Sequence, residues 1–393
     1  MNERRTPAVD WRGEPFRLFF PLATVLGAMG VAHWMLYGTG VLPSYLASFH
    51  AVTQMQSFLL AFAAGFLLTA VPKRTRTEPA GGVFLGVLML AIAGVSALEL
   101  AGFSNAAQLV YALSIVLIAQ FAVRRFVSRA AGRKPPASFV LVPMGLLSGL
   151  IGAVLRVLSA MEFVPSWLGA LGRTLALEGV FTCLSLGIGG FFFGLALHGD
   201  PPPDIDKKPG ETKKAAILAV AGLIVIASLV LQEKGWVREA LLLRAAVCTS
   251  VLVSARGLKQ PARPGVNRRT VWLAAWAIPL GLTLSAVFVN DRVAWMHVAY
   301  IGGFGLLAFA VAAHVTLGHG GDEAHRDGRP WQVIAFGALF TTAMVLRTLL
   351  GRLPDLYFGW MAATAGVWLL GAIVWAVFLV PRMWRAPVGE AAA

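Results

Sequence analysis

Long apolar runs alternate with short polar breaks from one end of the chain to the other, and the runs are of helix length. Bounded by proline, glycine or charge, they fall at 16–38, 47–71, 81–102, 105–124, 137–159, 167–198, 214–233, 236–255, 269–289, 293–318, 330–350 and 355–380. Each is near or above the about 20 residues that an α-helix needs to cross a hydrocarbon core ~30 Å thick. The pattern predicts an all-α, polytopic transmembrane helical bundle of about 12 spans. The sixth run is over-long for a simple crossing, which predicts a tilt or a break near Gly187, Gly189 and Gly190. The run that begins at Phe16 exceeds the core of a cleavable signal and reads as a retained first span.

Composition agrees, since 58% of the 393 residues are hydrophobic and 13% charged, which leaves no room for a soluble domain. The net charge of +14 would suggest a nucleic-acid partner if the cations were dispersed, but 24 of the 33 lysines and arginines fall on one side of the expected bundle. Lys73, Arg74 and Arg76 follow the second span, Arg124 to Lys134 the fourth, Lys207 to Lys214 the sixth and Arg256 to Arg269 the eighth, with Arg4, Arg5 and Arg12 at the start. Cations gathered in this way orient an even-span protein with both termini in the cytoplasm, and nucleic acid is excluded as a partner. The expected organisation is a cytoplasmic tail over 1–15, a six-span half over 16–198, a cytoplasmic linker over 199–213, a second half over 214–380 and a tail over 381–393.

Ionisable groups inside spans are costly and are therefore functional candidates. His33, His50, Glu99, Arg156, Arg173, Glu178, His297 and Arg347 all fall toward the outer side, and Arg244 lies nearer mid-depth. Any one of them reads as snorkelling or as a structural ion pair, Arg156 with Glu99 for instance; their shared depth argues for a site. His50, Gln54 and Ser57 share one helical face. Imidazole at this depth suits haem iron or copper, and arginine suits haem propionates, because guanidinium binds carboxylate through two parallel hydrogen bonds. Gln54 or Gln56 would then offer a hydrogen bond to a bound ligand. The alternative is a buried polar interface with no cofactor. His314 and His319 suggest either an inner metal site or a solvated interfacial pair. Cys183 and Cys248 lack metal or disulfide spacing and read as packing residues. Gly145 with Gly149, and Gly190 with Gly194, predict close helix approach.

Certain stretches carry a family resemblance. Phe16 to Pro21, His50-Ala51 and Gly65 to Pro72 resemble the opening of NnrS family proteins, and His297 through Ile301-Gly302-Gly303-Phe304 to Thr316 and Gly321, with Leu346-Arg347, resembles a second histidine-bearing region. The resemblance implies a multi-pass protein of the bacterial inner membrane that holds haem and copper and acts in nitric oxide metabolism, denitrification or nitrosative stress. It implies His50, His297 and His319 as metal ligands and Arg156, Arg173 and Arg347, with Gln54, as cofactor contacts; catalysis stays open. Val52, Thr53 and Gln54 stand where the family's second-span motif has a further His, a Glu and a Met. Its partners would be the lipid bilayer and nitric oxide or another diatomic ligand, with a homo-oligomer or a respiratory-complex partner left open. Two other readings fit the residues: a secondary transporter of a small anion or proton-coupled solute, and an assembly or structural subunit of a respiratory membrane complex.

Overall fold

In hydrocarbon no water is available to the backbone, so each crossing segment must close its own hydrogen bonds and form a helix. The computed structural model describes residues 9–350 and 354–385. Arg4, Arg5, the loop residues 351–353 and the end of the C-terminal tail lie outside the described residues. The chain forms α1 (Phe16–Gly38), α2 (Ala47–Thr75), α3 (Gly82–Leu100), α4 (Ser104–Val127), α5 (Ala137–Ala160), α6 (Ser166–His198) and α7 (Glu211–Glu233). It continues through α8 (Val237–Ser254), α9 (Val266–Val287), α10 (Val289–His319), α11 (Trp331–Leu349) and α12 (Tyr357–Met383). Eleven of these, among the described residues, are long and apolar enough to cross a membrane. The other, α8, has 18 residues and carries Arg238, Glu239 and Arg244 within them.

Three helices form the centre. The most apolar windows of α2, α6 and α10 are 89, 72 and 67% buried, against 61% or less in the other candidate spans. Around them the outer helices pack in sequence, and α12 closes the ring by lying along α1. Outward positions such as Leu90, Val123 and Val377 are exposed apolar side chains, as a lipid-facing surface requires. The two six-span blocks share this core, because α2 and α6 pack beside α7, α8 and α10.

Each central helix also contains π-helical turns, which carry one extra residue per turn and displace the backbone locally. They occupy Thr53–Phe58 in α2, Leu175–Gly179 and Gly194–His198 in α6, and Val298–Gly305 in α10. The long α6 is therefore irregular on either side of Gly187, Gly189 and Gly190, and regular helix runs through all three. The expectation of a break at those glycines is corrected: they serve close packing, since a Cβ on Gly190 would stand within 2.8 Å of the Ser138 hydroxyl and one on Gly187 within 3.2 Å of the Leu141 side chain.

Small residues also seat α5 on α6. Gly145, Gly149 and Gly152 recur on one face of α5, and a Cβ on Gly152 would meet the Gly172 carbonyl at 2.6 Å and the Ala176 nitrogen at 2.7 Å. The spacing of Gly145 and Gly149 thus foretold a real contact.

Ion pairs tie together the helix ends that carry most of the cations. Arg74 pairs with Asp204 of the α6–α7 connection, and Arg268 pairs with Asp327 of the α10–α11 connection at 2.8 Å. Arg17, fully buried at the start of α1, pairs with Glu14 at 2.5 Å and donates to the Met383 carbonyl at the end of α12. The His319 Nδ1–H donates to the other Glu14 oxygen at 2.5 Å, which joins α10 to the same clasp. Burial alone would raise the Glu14 pKa, but His319 and Arg17 together hold it at about 2, below the ordinary 4.5.

Two outcomes follow. Gly152→Val forces a branched side chain against α6 backbone and should lower the detergent-solubilised protein's unfolding midpoint by several degrees, a cost of about 1–3 kcal/mol; Gly86→Val, with nothing within 4 Å, should leave the midpoint unchanged. The Glu14 carboxylate stabilises the fold in full above its unfolded pKa, and its contribution of about 3 kcal/mol is lost as pH falls through the folded value. Glu14→Gln should therefore lower the midpoint at pH 7, and its difference from the parent should shrink on acidification from about pH 4.5 toward 2.

Candidate functional site

The π turns of α2, α6 and α10 face one another across a cavity of about 500 Å³, a size at which proteins hold small molecules and cofactors. Its wall comes from α1, α2, α6, α7, α8, α10, α11 and α12, always from the half away from the cation-rich ends. Tyr45 of the α1–α2 loop also lines it and stacks on Trp34 with ring centroids 3.3 Å apart.

Two histidines line this cavity, and both are held the same way. The His50 Nδ1–H donates to the Gly30 carbonyl of α1 at 3.0 Å, and the His297 Nδ1–H donates to the Val293 carbonyl one turn back at 2.6 Å. A carbonyl can only accept, so in the neutral ring the proton is fixed on Nδ1 and the Nε2 lone pair is left free. Neither Nε2 has a hydrogen-bond partner among the described residues. A ring oriented by its second nitrogen is the usual condition of a metal-ligating histidine.

Gln54, one turn after His50, donates to the Gly27 carbonyl at 2.7 Å and also lines the cavity. Gly27 and Gly30 allow this approach, because a Cβ on Gly30 would stand within 3.0 Å of the Thr53 side chain. Gln56 is turned elsewhere: it exchanges two hydrogen bonds, of 3.1 and 2.9 Å, with Gln108 of α4. Ser57 accepts from Ser96 of α3 at 2.8 Å. The shared face of His50, Gln54 and Ser57 is thus divided, because within the π turn over Thr53–Phe58 successive residues advance by less than in an α-helix.

The cavity is electropositive. Arg173, Arg292 and Arg347 all line it, and none has a carboxylate within 4 Å among the described residues. Of the acidic wall residues, Glu178 is already paired with Arg244, and Glu233 accepts from Thr174 at 2.6 Å. Arg244 is fully buried behind the wall and donates to Ser228 at 3.0 Å and to Gln232 at 2.8 Å as well as to Glu178. Tyr300 donates to the second Glu178 oxygen at 3.2 Å, which fixes that carboxylate between α8 and α10.

The structure therefore brings together His50, Gln54, Arg173, His297 and Arg347. Arg156 does not line the cavity, and the expected Arg156–Glu99 ion pair is absent; Glu99 accepts from Ser104 at 3.1 Å instead. His319 lies at the far end of α10 in the Glu14 clasp, and His314 packs edge-on against Phe192 at 5.4 Å. His33 is engaged by the Leu46 amide, which donates to its Nε2 at 2.9 Å. Among the described residues no group of three or more His, Cys, Asp or Glu is placed to hold a metal ion. Cys183 and Cys248 are buried free thiols.

Sequence reading missed Arg292, Tyr300, Glu233 and Tyr45. Arg292 and Tyr45 fall in segments read as loops, and Tyr300 follows His297 by one helical turn, the single signal that could have flagged it. No curated protein matches the chain at significant similarity. A family model described as NnrS protein matches residues 11–386, which takes in all twelve helices and every side chain of this cavity, and the chain belongs to the NnrS family.

Proposed function

We propose that this protein binds haem in the cavity between α2, α6 and α10, and that it acts on or responds to nitric oxide in the bacterial cytoplasmic membrane, with its cation-rich end in the cytoplasm. The observation that carries the reading is the pair of histidines on one cavity, each with Nδ1–H tied to a carbonyl and Nε2 left as a free lone pair. His50 and His297 are the candidate iron ligands. Arg173, Arg292 and Arg347 are suited to the two carboxylates of the macrocycle, because guanidinium binds carboxylate through two parallel hydrogen bonds and none of the three has a carboxylate partner among the described residues.

Haem, when bound, would supply an iron able to take a diatomic ligand such as nitric oxide in place of one of the two histidines. The chain supplies the rest. The carbonyls of Gly30 and Val293 hold the two rings, and Gln54, anchored on Gly27, sets an amide group in the wall beside His50. Trp34, Trp368, Met55 and Met361 supply an apolar surface of the kind a flat macrocycle prefers. Copper is left out of the proposal, because the second-span motif is reduced to His50 and, among the described residues, no further His, Cys, Asp or Glu cluster stands beside it.

The reading is tested by the absorption spectrum of protein purified in detergent from haem-replete cells, reduced, with and without nitric oxide. A Soret band that moves with nitric oxide is expected. His50→Ala and His297→Ala should each lower retained haem more than tenfold, whereas His319→Ala, in the clasp at the other end, should keep the band. Arg347→Ala should weaken haem retention without changing the position of the band. A colourless protein that instead moves small anions into vesicles would replace this reading with an anion transporter that uses the same three arginines.

A further inference from the structure

A second cavity adjoins the first, toward the cation-rich end of the bundle. It is a partly open pocket of about 90 Å³ between α1, α2, α6 and α10, and Leu59 lines both cavities. The partition falls where two π turns end: the turn in α2 closes at Phe58 and the one in α10 at Gly305, and both residues line the polar cavity, while their neighbours Leu59 and Phe304 line the second.

The chemistry of the second cavity is unlike that of the first. Seven of its seventeen wall residues are phenylalanines, and the rest are aliphatic except for Gly189 and Ser185. None of the seventeen is exposed. A buried water needs two to four polar partners, and this wall offers one hydroxyl, so water is not a good occupant although there is room for it. No charge reaches the wall, which rules out an ion. Closed apolar cavities of somewhat larger size, about 150 Å³, remain dry and take up xenon or benzene.

We propose that this cavity is a binding site for a small, uncharged, non-polar molecule of two or three atoms, and that it serves as an antechamber from which such a molecule passes Leu59 into the polar cavity. Molecules of this class dissolve in the hydrocarbon of the bilayer and reach the protein from the side, without crossing the charged ends of the bundle. The antechamber role rests on the polar cavity being the ligand site proposed above; the binding site itself does not.

Xenon is the probe, and the metal-free protein in detergent is the sample. Xenon NMR is expected to show one saturable site, which Ala308→Leu should abolish by filling the space from α10 with the unfolding midpoint held within a few degrees. Ala63→Leu fills the same space from α2 and decides the matter if the first variant does not fold. No saturable xenon site in the parent protein, or a site that survives both fillings, would overturn the proposal. In haem-loaded protein the same substitutions should slow nitric oxide binding several-fold with an unaltered Soret band; unaltered binding rates would remove the antechamber role. Because xenon is measured without haem, a failure of the haem reading leaves that result standing.

Discussion

A charge or an unpaired amide cannot be left in hydrocarbon, and the whole arrangement follows from that constraint. It forces each crossing segment into a helix and favours placing intramembrane charges inside the bundle. There the groups sort into those that satisfy one another and those that do not. Arg244 and Ser228, behind the cavity wall, close a network with Glu178, Tyr300 and Gln232 in it. Arg173, Arg292, Arg347 and the two free imidazole nitrogens remain unanswered on its surface. These groups are the ones the proposed ligand would answer.

The π turns supply three of the polar wall residues, Gln54, Glu178 and Tyr300. A regular α2 would keep His50, Gln54 and Ser57 on one stripe. With the extra residue over Thr53–Phe58, His50 and Gln54 face the cavity while Ser57 turns to a hydroxyl on α3. Similar turns in α6 and α10 place Glu178 and Tyr300 within hydrogen-bonding reach of each other. Two of these irregularities end at the boundary with the apolar cavity, where the polar and apolar chambers meet. The recurrence of π turns in α2, α6 and α10, every fourth helix, matches the burial of these three helices at the centre.

The far end of the bundle is held by a different logic. Glu14, Arg17, His319 and the Met383 carbonyl bring α1, α10 and α12 together where the chain leaves the apolar zone. His319 is thereby placed as a partner of the Glu14 carboxylate at the end opposite the polar cavity, apart from His50 and His297. Arg268 and Asp327 do the same for the connections around α9 and α11.

Helix positions were legible because a crossing segment must be long and apolar, a property of consecutive residues. Every span read from the chain begins and ends within about four residues of its helix. The family was legible from local strings around His50, Gly65 and His297, and the match over residues 11–386 agrees with it. The candidate site was half legible: His50, Gln54, Arg173, His297 and Arg347 stood out as polar residues at one depth, and they share a cavity. Depth alone could not separate Arg347, which faces that cavity, from Arg156, which does not. Nor could it pair Glu178 with Arg244 rather than Glu99 with Arg156, or enlist Arg292 and Tyr45 from apparent loops. Those outcomes depend on which helices are neighbours and on the rotation of each about its axis. Apolar length along the chain sets depth in the membrane, whereas neighbours and rotation are set by packing between segments far apart in sequence.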